Sequence, residues 1–169
     1  RKIYLSRLLS EKNWSAVRND LNLRPVEGVD GQADEAAITN ILSKYGIAPG
    51  RVTLWGTGKP LREFLWSEEM ADASVHVLLN VDFQDTYDAT AQEVRNCHIN
   101  VGSGREIAIK DLAEKIKAAV GFEGEIVWDS SKPDGTPRKL TDVKKLHALG
   151  WHHQIEIDEG IERLFDWYR

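Results

Sequence analysis

The chain has 169 residues, 41% hydrophobic and 29% charged, and its 22 basic against 27 acidic side chains leave a formal net charge of -5. That length fits one domain with an apolar core, while the acidic balance argues against nucleic acid as a partner, because duplex binding rests on clustered Lys and Arg. Apolar runs such as Val75 to Val81 fall short of a bilayer span, and the one cysteine, Cys97, can close neither an internal disulfide nor a C-x-x-C pair, so no membrane partner and a cytoplasmic location are expected.

Ile3, Leu5, Leu8 and Leu9 predict a first helix, and Trp14, Val17 and Leu21 carry the helical period on until Pro25 stops it. The opening Arg1-Lys2-Ile3 has no cap before it and reads as a helix already under way, so the chain is expected to be part of a longer protein. Asp34 starts a third helix carrying Ile38, Ile41 and Leu42, which Gly46 ends. Beyond the Pro49-Gly50 turn, Val52 to Trp55 predicts a short strand and Gly56-Thr57-Gly58 a tight loop.

Arg62 to Trp66 is strand-like, and Ser67 is expected to cap a helix with Glu68 and Glu69 in its first turn and Met70, Ala73, Ser74, Val77, Leu78 and Val81 as its buried stripe. Asp82 to Asn96 predicts a loop. His98 to Val101 reads as a strand running into Gly102-Ser103-Gly104 and then a helix bearing Leu112, Ile116, Ala119 and Val120. Glu125 to Trp128 gives a further strand, and helices over Val143 to Leu149 and Ile157 to Trp167 close the chain. Strands alternating with helices predict an α/β body over residues 51–169, with a helical segment, 1–50, packed on it as one domain.

Between the last strand and the last two helices lies Ser130-Ser131-Lys132-Pro133-Asp134-Gly135-Thr136-Pro137-Arg138-Lys139. Lys132, Arg138 and Lys139 against Asp134 give it a local charge of +2 on an acidic chain. Two prolines stiffen it and Asp134-Gly135 turns it, so its cations are held in place for an anion such as a diphosphate. Asp134 would repel that anion and is better suited to accept hydrogen bonds from a sugar or base. An ordinary solvated turn is the alternative.

Two glycine pairs, Gly56/Gly58 and Gly102/Gly104, invite a dinucleotide reading, but neither completes G-x-G-x-x-G, and tight turns are the better account. Trp55 and Arg62 flank the first pair and could bracket a nucleotide or sugar, against the plainer reading of a core Trp and a surface Arg. The adjacent His152 and His153 lack metal-ligand spacing. Cys97 reads as a small buried filler.

Leu54-Trp55-Gly56-Thr57-Gly58-Lys59-Pro60-Leu61-Arg62-Glu63-Phe64-Leu65, Met70-Ala71, His98 to Gly104, Ser131 to Leu140 and Leu149-Gly150-Trp151 together resemble the C-terminal portion of the GDP-L-fucose synthase family over about residues 51–169. Residues 1–50 resemble a helical segment, with an insertion, found in some bacterial members. The resemblance implies the substrate-binding C-terminal part of an extended short-chain dehydrogenase, a small sheet with packed helices and the Rossmann core absent. It also implies an enzyme that makes GDP-L-fucose from GDP-4-keto-6-deoxy-D-mannose by epimerisation and NADPH-dependent reduction. NADP and the catalytic groups would then belong to an N-terminal Rossmann domain of a full-length parent, usually a homodimer. This chain has no Tyr-x-x-x-Lys, so the part in hand is expected to be inactive and to bind no cofactor itself.

Position by position, the resemblance implies substrate contacts at Lys2, Trp55, Arg62, Asp134 and Lys139, and no catalytic role for Cys97 or His98. A GDP-mannose 4,6-dehydratase and a stand-alone nucleotide-sugar-binding module are the alternative readings.

Overall fold

Three amphipathic helices open the chain: α1 (Lys2–Ser10), α2 (Trp14–Leu23) and α3 (Glu35–Lys44). Strands β1 (Ile47–Ala48), β2 (Arg51–Trp55) and β3 (Leu61–Glu63) lead to α4 (Ser67–Asn80) and a single 3-10 turn at Phe83–Thr86. Strand β4 (Glu106–Ala108), helix α5 (Ile109–Val120) and strands β5 (Glu125–Asp129) and β6 (Arg138–Lys139) follow, before α6 (Lys144–Ala148) and α7 (Ile157–Tyr168). The computed structural model describes residues 1–169. They separate into two compact units, one of residues 1–59 and 109–135, the other of 60–108 and 136–169.

In the first unit, Leu5, Leu8 and Leu9 of α1 meet Val17 and Leu21 of α2, Ile38 and Leu42 of α3, and Ile47 in one buried cluster. Each fully buried Leu or Ile contributes roughly 1.5–3 kcal/mol relative to exposure, which is why these short helices, marginal alone, hold together. Lys12, at φ 54°, reverses the chain between α1 and α2, and the Asn13 side chain caps α2 by accepting the Ala16 N–H at 3.1 Å. Asp34 caps α3 by accepting the Ala37 N–H at 2.7 Å. Behind the helices stands a three-stranded sheet of order β1-β2-β5, with β1 antiparallel and β5 parallel to β2.

The second unit holds the other three-stranded sheet, β4-β3-β6, in which β3 pairs antiparallel with β4 and parallel with β6. Ala73 of α4, Leu146 of α6 and Trp151 form its buried cluster, with Leu65, Val77, Ile99 and Val101 packed against them. The Trp151 indole N–H donates to Asp72 at 2.8 Å.

Four expectations need correction here. Trp66 occupies the N-cap position of α4 without a side-chain capping bond, so Ser67 is the first helical residue, not its cap. The inner face of α4 carries Glu69 and Ala73, while Met70 is 51% and Leu78 81% exposed. The helix is turned because the Glu69 carboxylate accepts the backbone N–H groups of Gln154 and Ile155, a demand that hydrophobic periodicity does not register. Residues 98–101 form no strand; the strand lies at Glu106–Ala108, beyond the glycine pair, where it pairs with β3. Cys97 is exposed, not a buried filler.

Candidate functional site

In open α/β sheets, ligands gather beyond the carboxyl ends of parallel strands, and in the first unit β2 and β5 end side by side, Trp55 opposite Asp129. Directly after Trp55 the Gly56 N–H donates to the Asp129 carbonyl at 3.0 Å. The chain then turns through Gly56 and Gly58, at φ 80° and 71°, a region that glycine enters without steric cost. The Gly58 carbonyl accepts the Lys110 N–H at 2.8 Å, and a Cβ on Gly58 would come within 2.7 Å of the Trp128 ring. On the neighbouring strand end, Asp129 accepts the Ser131 N–H and hydroxyl at 3.1 and 2.5 Å and so starts the basic loop as a turn.

The two strand ends are joined by Thr57 and Asp134. The Thr57 N–H donates to Asp134 Oδ1 at 2.8 Å and its hydroxyl to Oδ2 at 2.6 Å. The Thr57 hydroxyl, then its N–H, hold the Asp134 carboxyl below its ordinary value; slight burial opposes them and the Lys59 charge assists. Trp55 is 70% exposed, and the Lys132 ammonium lies 5.7 Å from the centre of its ring, a cation–π distance. Lys2, at the start of α1, donates to the Thr53 carbonyl of β2 at 3.3 Å, and burial pushes its ammonium pKa down.

In the second unit, Arg62 and Lys139 are register partners on the parallel strands β3 and β6, so their side chains leave the sheet on one face. Arg62 spends Nη1 on the carbonyls of Leu61 and Thr136, both at 2.7 Å, which fixes the plane of its guanidinium. Arg138 is committed to Glu106, Nε to Oε2 at 2.8 Å. Beside Arg62, Glu63 accepts the Gly104 N–H at 2.6 Å and the Thr141 N–H at 3.0 Å.

The expected contacts therefore fall into two sets. Lys2, Trp55 and Asp134 belong to the first unit, and Arg62 and Lys139 stand together in the second. Sequence reasoning missed Thr57 and Glu63; a hydroxyl between two glycines was the signal for the first, while nothing local marks the second. Neither glycine turn opens onto a helix: the first runs into β3 and the second into β4, so neither sets a diphosphate on a helix N-terminus. The His152 ring stacks on His147 at 4.2 Å, and no three His, Cys, Asp or Glu side chains are grouped to hold a metal ion.

Residues 21–102 match the NAD dependent epimerase/dehydratase family. GDP-L-fucose synthase 1 of Arabidopsis thaliana is 47% identical over 117 residues, which are 69% of this chain and 32% of that protein; the chain thus spans about a third of such relatives. A solved GDP-6-OMe-4-keto-L-xylo-heptose reductase from C. jejuni superposes with a TM-score of 0.87 at 38% identity, over 99% of this chain and 45% of that one. A GDP-L-fucose synthetase from Naegleria fowleri, solved bound to NADP, gives a TM-score of 0.57 at 27% identity over 69% of this chain and 34% of its own. These matches relate the chain to the GDP-L-fucose synthases and to the NAD dependent epimerase/dehydratase family.

Proposed function

We propose that the chain is the nucleotide-sugar-binding portion of an NADPH-dependent enzyme that epimerises and reduces GDP-4-keto-6-deoxy-D-mannose to GDP-L-fucose. The observation that carries this reading is the Trp55 ring, 70% exposed at the carboxyl end of a parallel strand and backed by a loop tied down through Asp134. A core tryptophan would be covered; an indole left open there is an apolar wall for a sugar or base. Kinship with enzymes of GDP-linked sugars supplies the ligand class.

Within that reading the chain binds and orients. Arg62 and Lys139, on adjacent strands, offer the remaining guanidinium donors and an ammonium to diphosphate oxygens. Lys2, in the first unit, is a separate candidate contact, its ammonium pKa lowered by burial. Holding the ketosugar in one pose lowers the entropic cost of the later chemistry. The glycine turns here do not fit a dinucleotide, so NADP(H) is assigned to polypeptide beyond these residues, as is the pairing of subunits into a dimer. No chemical step is assigned to the residues in hand, and the chain alone is expected to be inactive.

A second reading is favoured by coverage: the GDP-heptose reductase aligns over 99% of the chain, α1 to α3 included, against 69% for the fucose synthetase. On it the substrate is a seven-carbon GDP-4-ketosugar. Assay of the full-length protein with NADPH and each ketosugar separates the two, since turnover of the six-carbon substrate to GDP-L-fucose supports the first and turnover of the heptose alone the second. Calorimetric titration of this chain with GDP-L-fucose and UDP-glucose tests binding directly. Equal affinity for both would overturn the GDP-sugar assignment.

A further inference from the structure

We infer that Glu63 is a positioning residue for diphosphate binding: held by the Gly102-Ser103-Gly104 turn, its carboxylate anchors the chain that leaves β6 and so keeps Lys139 beside Arg62. The inference rests on the binding reading above, and it gives the second glycine pair, which completes no dinucleotide motif, a part in the site.

Three observations carry it. Strand β6 is only two residues long, Arg138–Lys139, and its pairing with β3 ends at Arg62 and Lys139. Two residues further on, where that ladder has stopped, the Thr141 N–H donates to Glu63 Oε2 at 3.0 Å. A side chain of β3 thus takes over from the β3 backbone as partner of the departing segment. The other oxygen, Oε1, accepts the Gly104 N–H at 2.6 Å, with the Ser103 hydroxyl at 3.4 Å. The turn is shaped around this carboxylate and the segment it holds: a Cβ on Gly102 would collide with Glu63 Oε1, and one on Gly104 would lie 2.7 Å from Val143 Cγ2.

The same geometry keeps Glu63 off the ligand. Successive residues of a strand point to opposite faces, so Glu63 leaves β3 away from the face that Arg62 and Lys139 share. Arg62 is fixed separately, through the Leu61 and Thr136 carbonyls, which leaves Lys139 as the cation that depends on the anchor. Burial would raise the Glu63 carboxyl pKa, but the hydrogen bonds from Thr141, Gly104 and Ser103 hold it below its ordinary value, so both oxygens stay acceptors at neutral pH. A lysine swings a point charge on a flexible stem. Fixing the backbone that carries it before the anion arrives removes part of the ordering cost from each binding event.

GDP is the probe, since its diphosphate is common to the six- and seven-carbon substrates. In calorimetric titration of the full-length protein, Glu63→Gln should weaken GDP binding about fivefold and Lys139→Gln about tenfold. The double variant should stay within about twofold of Lys139→Gln alone, and NADPH affinity within about twofold throughout. Gly102→Ala, which displaces the carboxylate without changing its charge, should reproduce the Glu63→Gln loss, and it takes the place of Glu63→Gln in the cycle if that variant does not fold. Amide hydrogen exchange of residues 139–143 in the full-length protein without ligand reads the anchor itself, and both variants should speed it. Unchanged exchange overturns the anchor whatever the ligand. Faster exchange with unchanged GDP affinity, losses that add in the double variant, or an equal loss for NADPH overturns the positioning role. Failure of the wild-type protein to bind GDP would sink the binding reading, and the positioning role with it, while the exchange result still decides the anchor.

Discussion

Arg138 and Glu106 meet in a two-point ion pair, Nε to Oε2 at 2.8 Å and Nη2 to Oε1 at 2.7 Å, across the ends of β6 and β4. Of the three cations in the basic loop, this one is therefore engaged before any anion arrives. Arg138→Gln should leave the affinity for GDP-L-fucose within about twofold while Lys139→Gln lowers it about tenfold, each measured by calorimetric titration of the full-length protein. Equal losses would mean that Arg138 leaves Glu106 to bind the diphosphate.

Trp55→Ala separates binding from stability. The ring is 70% exposed, so its removal opens no cavity and the thermal midpoint should move by less than about 2 °C. Affinity for the nucleotide sugar should fall about tenfold. A large drop in the midpoint with unchanged affinity would return the indole to a packing role.

Two glycines that share a left-handed φ should respond differently to alanine. At Gly58, φ is 71° and a Cβ meets the Trp128 ring at 2.7 Å and Lys110 Cβ at 2.9 Å; at Gly28, φ is 82° and nothing lies within 4 Å. Gly28→Ala should cost about 1 kcal/mol, the left-handed conformation alone, and Gly58→Ala a further 1–3 kcal/mol or so for overpacking. Urea denaturation of the two variants reads the difference directly, and equal losses would show that the strand end relaxes around the added methyl.

Burial tends to raise the Glu63 carboxyl pKa, but hydrogen bonds from Thr141, Gly104 and Ser103 together outweigh it and hold it below the ordinary 4.5. A depressed carboxyl binds fewer protons folded than unfolded, so its contribution to stability is full above about pH 4.5 and is lost as the pH falls through the lower folded value. Thermal midpoints of the wild-type chain should accordingly fall from pH 5 downward more steeply than those of Glu63→Gln. Parallel curves would assign the acid sensitivity to other carboxylates.

The sequence was most legible where one local rule operates alone. Asp34 and Pro25 bound their helices as caps and breakers do, and Val52 to Trp55 and Glu125 to Trp128 form the strands that their composition predicts. It was least legible where a polar side chain serves a distant backbone. Glu69 turns α4 to reach Gln154 and Ile155, and Glu63 reaches Gly104 and Thr141; partners this far along the chain leave no periodicity to read. The candidate site divides the same way. Trp55, Arg62 and Lys139 stand out by residue type and motif, but the β3–β6 register that sets Arg62 beside Lys139 appears only in the fold, and so does the pairing of Asp134 with Thr57.

The interleaving of the two units governs how such a chain can assemble. Each unit draws on two separate stretches, and the first is complete only when residues 109–135 join 1–59. The parallel pairing of Arg51–Trp55 with Glu125–Asp129 demands a long loop closure before it returns any stabilisation, a topology that slows folding. As the polypeptide emerges from the ribosome, α1 to α3 can collapse early on local contacts, whereas the strand ends that carry Trp55 and the basic loop must wait for β5. Those strand ends are thus expected to mature later than α1 to α3, and to be more exposed to misassembly if synthesis stalls.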